Sequence, residues 1–86
     1  MSKQEDLKSQ NVASEVAYDA SRGYPANKNL YYECPLCHSW IPSLPDDYAE
    51  ARCTCGHIEI DIDWGRLSVR DQTRQPILLR LSPRNG

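Results

Sequence analysis

The chain has 86 residues, 12 acidic against 10 basic, for a net charge of −2, with 40% apolar and 26% charged residues. That length holds one small domain with a thin core, since a chain this short buries only about 60% of its unfolded surface, and it excludes Rossmann, barrel and multidomain enzymes. No apolar run approaches the roughly 20 residues that span a bilayer, no basic surplus points to a dedicated nucleic-acid binder, and the opening MSKQEDLKSQ holds no leader-like apolar stretch, so a reducing, cytoplasmic setting is expected.

In residues 1–29 four bases cancel four acids. Ser2 and Glu5 have capping-box spacing, and Leu7, Ala13, Val16, Ala17 and Ala20 recur at roughly helical intervals up to Gly23 and Pro25. A helix over residues 3–21 follows from this pattern. Its apolar face is thin and Ala-rich, so it is stable only when docked; a flexible segment is the other reading. Gly23 to Asn29 reads as a linker. Next, Leu30-Tyr31-Tyr32-Glu33 reads as a strand, and Trp40-Ile41 as a return strand ended by Pro42 and Pro45. Tyr48 to Arg52 lead on, with Ala49, Ala51 and Cys53 alternating.

Between and beyond these strands lie the four cysteines, Cys34, Cys37, Cys53 and Cys55: a C-x2-C pair, fifteen residues, then C-x-C. Four cysteines in a small chain mean a disulfide framework or a metal site, and a reducing compartment favours metal. Thiolates at i and i+3 on a tight turn can chelate one ion, as can thiolates at i and i+2 on an extended segment, which share a side. Four thiolates close the tetrahedral shell of Zn2+, the structural rather than the catalytic arrangement, and the binding energy then becomes folding energy. Two disulfides, free thiols and a redox-active pair are the alternatives. His38 and His57 flank the pairs closely enough to replace a cysteine, His57 the better placed through C-x-H, or else to face solvent or support a thiolate.

Cys34-Pro35-Leu36-Cys37 and Cys53-Thr54-Cys55-Gly56 resemble the two knuckles of a zinc-ribbon or rubredoxin-like domain over residues 30–72. The chain departs from the usual C-P-x-C-G and C-x-x-C-G twice: His38 stands where Gly is usual, and the second knuckle is one residue short. The shortening weakens a rubredoxin-type iron reading relative to a zinc ribbon. The resemblance implies fold and metal, not activity.

Ile58, Ile60, Ile62 and Trp64 alternate with Glu59, Asp61 and Asp63, the period-two signature of a strand with one buried face. Gly65-Arg66 suits a two-residue turn, which would set Trp64 opposite Leu67, Ile62 opposite Val69 and Asp61 opposite Arg70, with Trp40 joining the apolar side. Burial of Trp64 would make its truncation cost about 3 kcal/mol. Ile77-Leu78-Leu79-Arg80-Leu81 reads as a last strand or an arm. Its two apolar sides exceed what a small ribbon can cover, and the covers available are the N-terminal helix or a second chain; because that helix is thin, a second chain, as homodimer or target protein, is expected to dock there; Ser82 to Gly86 would fray. The fold class is thus a small metal-stabilised β fold, a zinc-ribbon-like antiparallel sheet with an N-terminal helix, organised as 1–29, 30–72 and 73–86.

Residues 30–63 hold seven acids against Arg52, whereas residues 64–86 hold five arginines against Asp71. These arginines suit bidentate contact with carboxylate or phosphate, or neutralise the acidic strand. No Gly-rich phosphate loop is present. His57-Ile58-Glu59 beside C-P-L-C is superficially like a zinc deaminase, but the order is reversed and the chain is too short to enclose a base. The expected function is therefore a non-enzymatic, zinc-stabilised protein-interaction module. The alternatives are nucleic-acid contact through Arg66, Arg70, Arg74, Arg80 and Arg84, with Trp40 or Tyr48 stacking on a base, and rubredoxin-like electron transfer.

Overall fold

A computed structural model describes residues 3–84 and resolves them into two antiparallel sheets. The larger has four strands: β1 (Asn11–Glu15), β2 (Leu30–Glu33), β3 (Trp40–Pro42) and β6 (Ile77–Pro83), in the order β1-β6-β2-β3. The smaller is the hairpin of β4 (Ile58–Asp61) and β5 (Arg66–Val69). Residues 51–53 lie along the other edge of β4, through Ile60 N–H to the Ala51 carbonyl (2.7 Å) and Cys53 N–H to the Ile58 carbonyl (3.1 Å). β2 and β3 fall where the sequence places them.

β6 is central, not a free arm. It pairs with β1 (Ala13 opposite Leu81) on one side and with β2 (Tyr31 opposite Leu79) on the other. Both of its faces are covered, which corrects the expectation that a second chain is needed there. Leu78, 1% exposed, joins Leu30, Tyr32 and Ile41 against the β4–β5 hairpin. Leu79 and Leu81 pack with Trp40, Tyr31 and Leu7 on the opposite face. The pairing edge is closed by the N-terminal segment, the other available cover, but as a strand rather than as a helix. Nor does the C-terminus fray at Ser82: Ser82 and Pro83 pair with β1, and Arg84 N–H donates to the Gln10 carbonyl.

The helix expected over residues 3–21 is only α1 (Lys3–Gln10). Beyond it the chain straightens into β1, where backbone hydrogen bonds to β6 replace those of a thin, poorly amphipathic helix. The Ser2 half of the capping box lies outside the described residues. α1 closes the open edge of β3: the Gln4 side chain accepts from Trp40 N–H (2.6 Å) and donates to the Trp40 carbonyl (2.7 Å), as a neighbouring strand would. Lys8 Nζ reaches the His38 carbonyl (2.7 Å) and lies 5.3 Å from the centre of the Trp40 ring.

The stretch read as a linker is pinned. A 3-10 turn at Ala20–Arg22 leads to Tyr24, which packs with Tyr18 and Tyr32 at ring separations of 5.9 to 6.1 Å. Each hydroxyl finds an acceptor on another segment: Tyr18 on the Pro76 carbonyl, Tyr24 on Gln75 Oε1 and Tyr32 on the Pro25 carbonyl. Ser43 Oγ accepts from Asn27 N–H and donates to the Asn27 carbonyl. Burial raises the phenol pKa of Tyr18 to about 12, with Tyr24 adding to it, and raises that of Tyr32 as well.

The β4–β5 hairpin keeps its expected faces and loses its expected turn. Ile58, Ile60, Leu67 and Val69 are buried, while Glu59, Asp61 and Asp63 are exposed. The register sets Ile60 opposite Leu67, Ile58 opposite Val69 and Asp61 opposite Arg66. Val69's partner thus moves by four residues, an even slip that preserves the side of every residue. Asp61 causes the slip. Its Oδ1 accepts from Asp63 N–H (2.9 Å) and Trp64 N–H (3.4 Å), and its carbonyl accepts from Gly65 N–H (2.6 Å). These bonds close a four-residue loop in which Gly65 takes φ +65. Trp64 is consequently 82% exposed at the loop rather than in the core, and Trp40 belongs to the opposite side of the large sheet.

Candidate metal centre

Two turns carry the cysteines, the tip of the β2–β3 hairpin and the turn that joins residues 51–53 to β4. In the first, Cys34 N–H donates to the Ser39 carbonyl (3.0 Å), continuing the β2–β3 ladder, and a turn over residues 35–37 brings Cys37 back beside Cys34. In the second, Cys53 begins the turn from residues 51–53 into β4, and Gly56 N–H closes onto the Cys53 carbonyl (3.1 Å).

The two turns face each other. The Sγ atoms of Cys34, Cys37, Cys53 and Cys55 all lie within 4.8 Å of one another, with Cys34 to Cys55 at 3.6 Å and Cys53 to Cys55 at 3.8 Å. Cys34 and Cys53 are buried in the apolar core, Cys37 is half-buried and Cys55 is exposed, so the cluster sits at the edge of the molecule with its inner pair in the dry interior. The thiols are free, with no disulfide among them. Such a group can hold a metal ion. The C-x-C pair, one residue shorter than usual, reaches the same cluster as the C-x2-C pair.

Backbone N–H groups already point at the sulfurs. Leu36 and Cys37 N–H face Cys34 Sγ at 3.4 and 3.5 Å, and Ile58 N–H faces Cys53 Sγ at 3.2 Å. Such donors stabilise thiolates and orient them towards a cation. The tight turns that supply them need a residue with positive φ after the second cysteine. Gly56 fills that position in the second knuckle at φ +79, and His38 fills it in the first at φ +61. The departure from Gly at residue 38 therefore leaves the turn unchanged and places a β-carbon in the left-handed region.

Ser39 is the functional residue that sequence reasoning missed. Its buried Oγ accepts from Thr54 N–H of the second knuckle (3.1 Å) and lies 3.0 Å from Cys37 Sγ of the first, so one hydroxyl links the two knuckles. Its only signal in the sequence is its place two residues after Cys37. Burial opposes ionisation of Cys37, but hydrogen bonds from the Ser39 side chain and backbone, together with Cys55, outweigh it and bring the thiol down to about 5. On Cys34 burial prevails and the thiol rises to about 12, and burial raises Cys53 too. The fold alone thus prepares one thiolate, and a cation in the cluster would supply the charge that Cys34 and Cys53 need in order to ionise.

Neither histidine joins the sulfurs. His38 is 66% exposed at its side chain, with Nδ1 3.4 Å from Glu33 Oε2. His57 is only 3% exposed, and its Nε2 donates to the Arg74 carbonyl (2.8 Å), tying the second knuckle to the loop that enters β6. The C-x-H spacing that made it a candidate ligand instead turns its ring away from the cluster. The arginines are spread over the hairpin, the following loop and β6, and Arg66, not Arg70, lies opposite Asp61. Among the described residues no helix is long and apolar enough to cross a membrane. No protein-family model, no curated protein and no solved structure matches the chain.

Proposed function

We propose that the chain is a zinc-stabilised, non-enzymatic protein-interaction module of zinc-ribbon type. The observation that carries this reading is the convergence of four cysteine sulfurs from two turns. A tetrahedral zinc with Zn–S near 2.3 Å holds its sulfurs about 3.8 Å apart; two of the separations here, 3.6 and 3.8 Å, are close to that value, and all lie within 4.8 Å. An all-sulfur donor set suits zinc or iron rather than hard cations, and the shortened second knuckle favours zinc. Cys34, Cys37, Cys53 and Cys55 would hold it. With four protein ligands a zinc ion keeps no position for water or substrate, which argues for a structural role. One further observation fits a binding platform: Val12, Leu36, Leu44, Tyr48 and Trp64 are large apolar side chains exposed to solvent.

Elemental analysis of protein purified without added metal should give one zinc per chain. An absence of metal, two disulfides by mass spectrometry, or the red colour of an iron tetrathiolate would each sink the zinc assignment. The interaction role is tested by affinity capture with the metal-loaded protein, which should recover a protein partner and lose it on chelation. Recovery of nucleic acid instead, with affinity falling steeply as salt rises, would favour contact through Arg66, Arg70, Arg74, Arg80 and Arg84.

A further inference from the structure

Two cavities meet at Tyr48. The first is an open groove of roughly 1120 Å³ that runs from α1 across β3 to the 44–54 loop, its apolar lining including Leu7, Tyr31, Trp40, Pro42, Leu44 and Tyr48. The second is a cleft of roughly 350 Å³ between Tyr48 and β4, with Arg52, Glu59, Asp61 and Asp63 among its lining residues. Tyr48 is 72% exposed and Leu44 about half exposed, so apolar surface faces water at the junction. Trp64, the largest exposed aromatic side chain of the described residues, follows Asp63 in the hairpin loop and lines neither cavity.

The charges on these walls are one-sided. Asp6, Asp46 and Glu50 line the groove, and Glu59, Asp61 and Asp63 line the cleft, six acids in all; the basic residues are Lys28 and Arg52, and Arg52 Nε already lies 3.5 Å from Glu59. Asp61 uses one carboxylate oxygen, Oδ1, to hold its own loop. Acids beside an apolar lining repel phosphate and select a partner that brings both apolar side chains and positive charge. Tyrosine is also among the residues that most often anchor a binding surface.

We propose that this groove and cleft together receive an extended segment of a partner protein, with apolar side chains laid along Pro42, Leu44 and Tyr48 and an arginine or lysine seated over Tyr48 against Glu59, Asp61 and Asp63. Cation and ring would meet face to face there, in contact range of the carboxylates. The proposal deepens the protein-interaction reading and rests on it, naming its surface and the chemistry of its partner.

The test uses metal-loaded, full-length protein and two synthetic probes, acetyl-LALRR-amide and acetyl-LALEE-amide, followed by amide chemical shifts. The arginine peptide should move resonances of residues 40–50 and 59–64 and bind at least about tenfold more tightly than the glutamate peptide. Tyr48→Ala together with Asp63→Asn, both at exposed positions that leave the core intact, should weaken the arginine peptide at least about tenfold. Equal binding of the two peptides, shifts spread equally to Glu15, Asp19 and Glu33, an unweakened double variant, or no binding of the arginine peptide at millimolar concentration would each overturn the proposal. Affinity capture separates this failure from that of the underlying reading. A partner recovered equally by wild type and by the double variant would overturn this surface and leave the module reading standing, whereas recovery of nucleic acid in place of protein would overturn both.

Discussion

Two clusters fasten the same apolar core from different sides, one of cysteines and one of tyrosines. Cys34 and Cys53 are part of the core formed by Tyr32, Ile41, Ile58 and Leu78, and Tyr18 and Tyr24 pack against it. The cysteine cluster joins two turns through four sulfurs and the Ser39 hydroxyl. The tyrosine cluster joins three loops through ring packing and three hydroxyls. The sulfurs need a cation to become a strong fastener, while the phenols are complete as they stand. A chain of this size therefore couples one chemically removable clasp to one permanent clasp, and its stability depends unequally on the two.

On the proposed zinc reading, the largest difference is exposed by taking the metal away. A structural tetrathiolate zinc contributes on the order of 10 kcal/mol at neutral pH, more than the few kcal/mol expected of a core this small. Chelation, or Cys37→Ser, should abolish the cooperative melting transition, seen as loss of near-ultraviolet signal from the tyrosines and tryptophans. A Cys37→Ser protein that melts at the wild-type temperature would show that the tyrosine clasp and the sheet suffice without the metal.

The tyrosine clasp responds to pH in the opposite direction. Protons compete with metal for the thiolates, so the cysteine clasp weakens as pH falls. The Tyr18 and Tyr32 phenols are raised by burial, Tyr18 to about 12. A raised folded-state pKa contributes stability that is fully present below the ordinary value near 10 and is lost as pH rises through the folded value. The metal-loaded protein should thus lose melting temperature between roughly pH 10 and pH 12. Tyr32→Phe removes one ionisation and also the hydrogen bond to the Pro25 carbonyl, costing about 1 kcal/mol at neutral pH, and should flatten the alkaline slope. An identical alkaline slope in Tyr32→Phe would assign that loss to other groups.

Ser39 tests whether the two cysteine turns are joined by more than the metal. Ser39→Ala removes the acceptor of Thr54 N–H and the partner of Cys37 Sγ, and should cost about 1–3 kcal/mol, with a metal affinity lowered about tenfold or more. Unchanged affinity would reduce Ser39 to a spacer. Ser39→Thr keeps the hydroxyl and should recover most of the affinity if its extra methyl group fits.

The two clasps also differ in how far the sequence reveals them. Cysteines are rare and chemically single-minded, so C-x2-C and C-x-C mark their cluster by spacing alone. The tyrosines come from positions 18, 24 and 32, on a strand and two irregular segments, and no period links them; only tertiary packing does. The same contrast runs through the fold. β2, β3 and the faces of β4 and β5 were legible because alternation is a local signal. The hairpin loop was not, because a single Asp61 carboxylate captured two backbone N–H groups and outcompeted the Gly65-Arg66 turn. β1 was read as helix, and β6 only as either a last strand or an arm, because β1 pairs with β6 across nearly the whole length of the chain and β6 needs both β1 and β2 as neighbours. Ser39, His57 and Gln4 carry roles defined by partners distant in sequence, which spacing cannot announce.

The smallest expected effect concerns the residue that departs from knuckle pattern. His38 and Gly56 occupy matching positions, at φ +61 and +79, after the second cysteine of each pair. A side chain in this region costs about 1–2 kcal/mol, so His38→Gly removes strain. Glycine also gives the unfolded chain more freedom, which takes back about 0.5–1 kcal/mol. The contact between His38 Nδ1 and Glu33 Oε2 is long and exposed, and surface pairs of that kind contribute well under about 1 kcal/mol. The Lys8 bond is to the His38 carbonyl, which glycine retains. The balance is a gain of about 0.5 kcal/mol, a rise of a few degrees in melting temperature for a domain of this size, with metal affinity unchanged because the His38 ring is no ligand. Gly56→Ala should move the other way by about 1 kcal/mol, since it introduces the strain that His38 already bears. If His38→Gly instead loses about 1 kcal/mol or more, the His38 ring contributes more through Glu33 than its exposure suggests; if it loses metal, the first knuckle binds with a histidine after all.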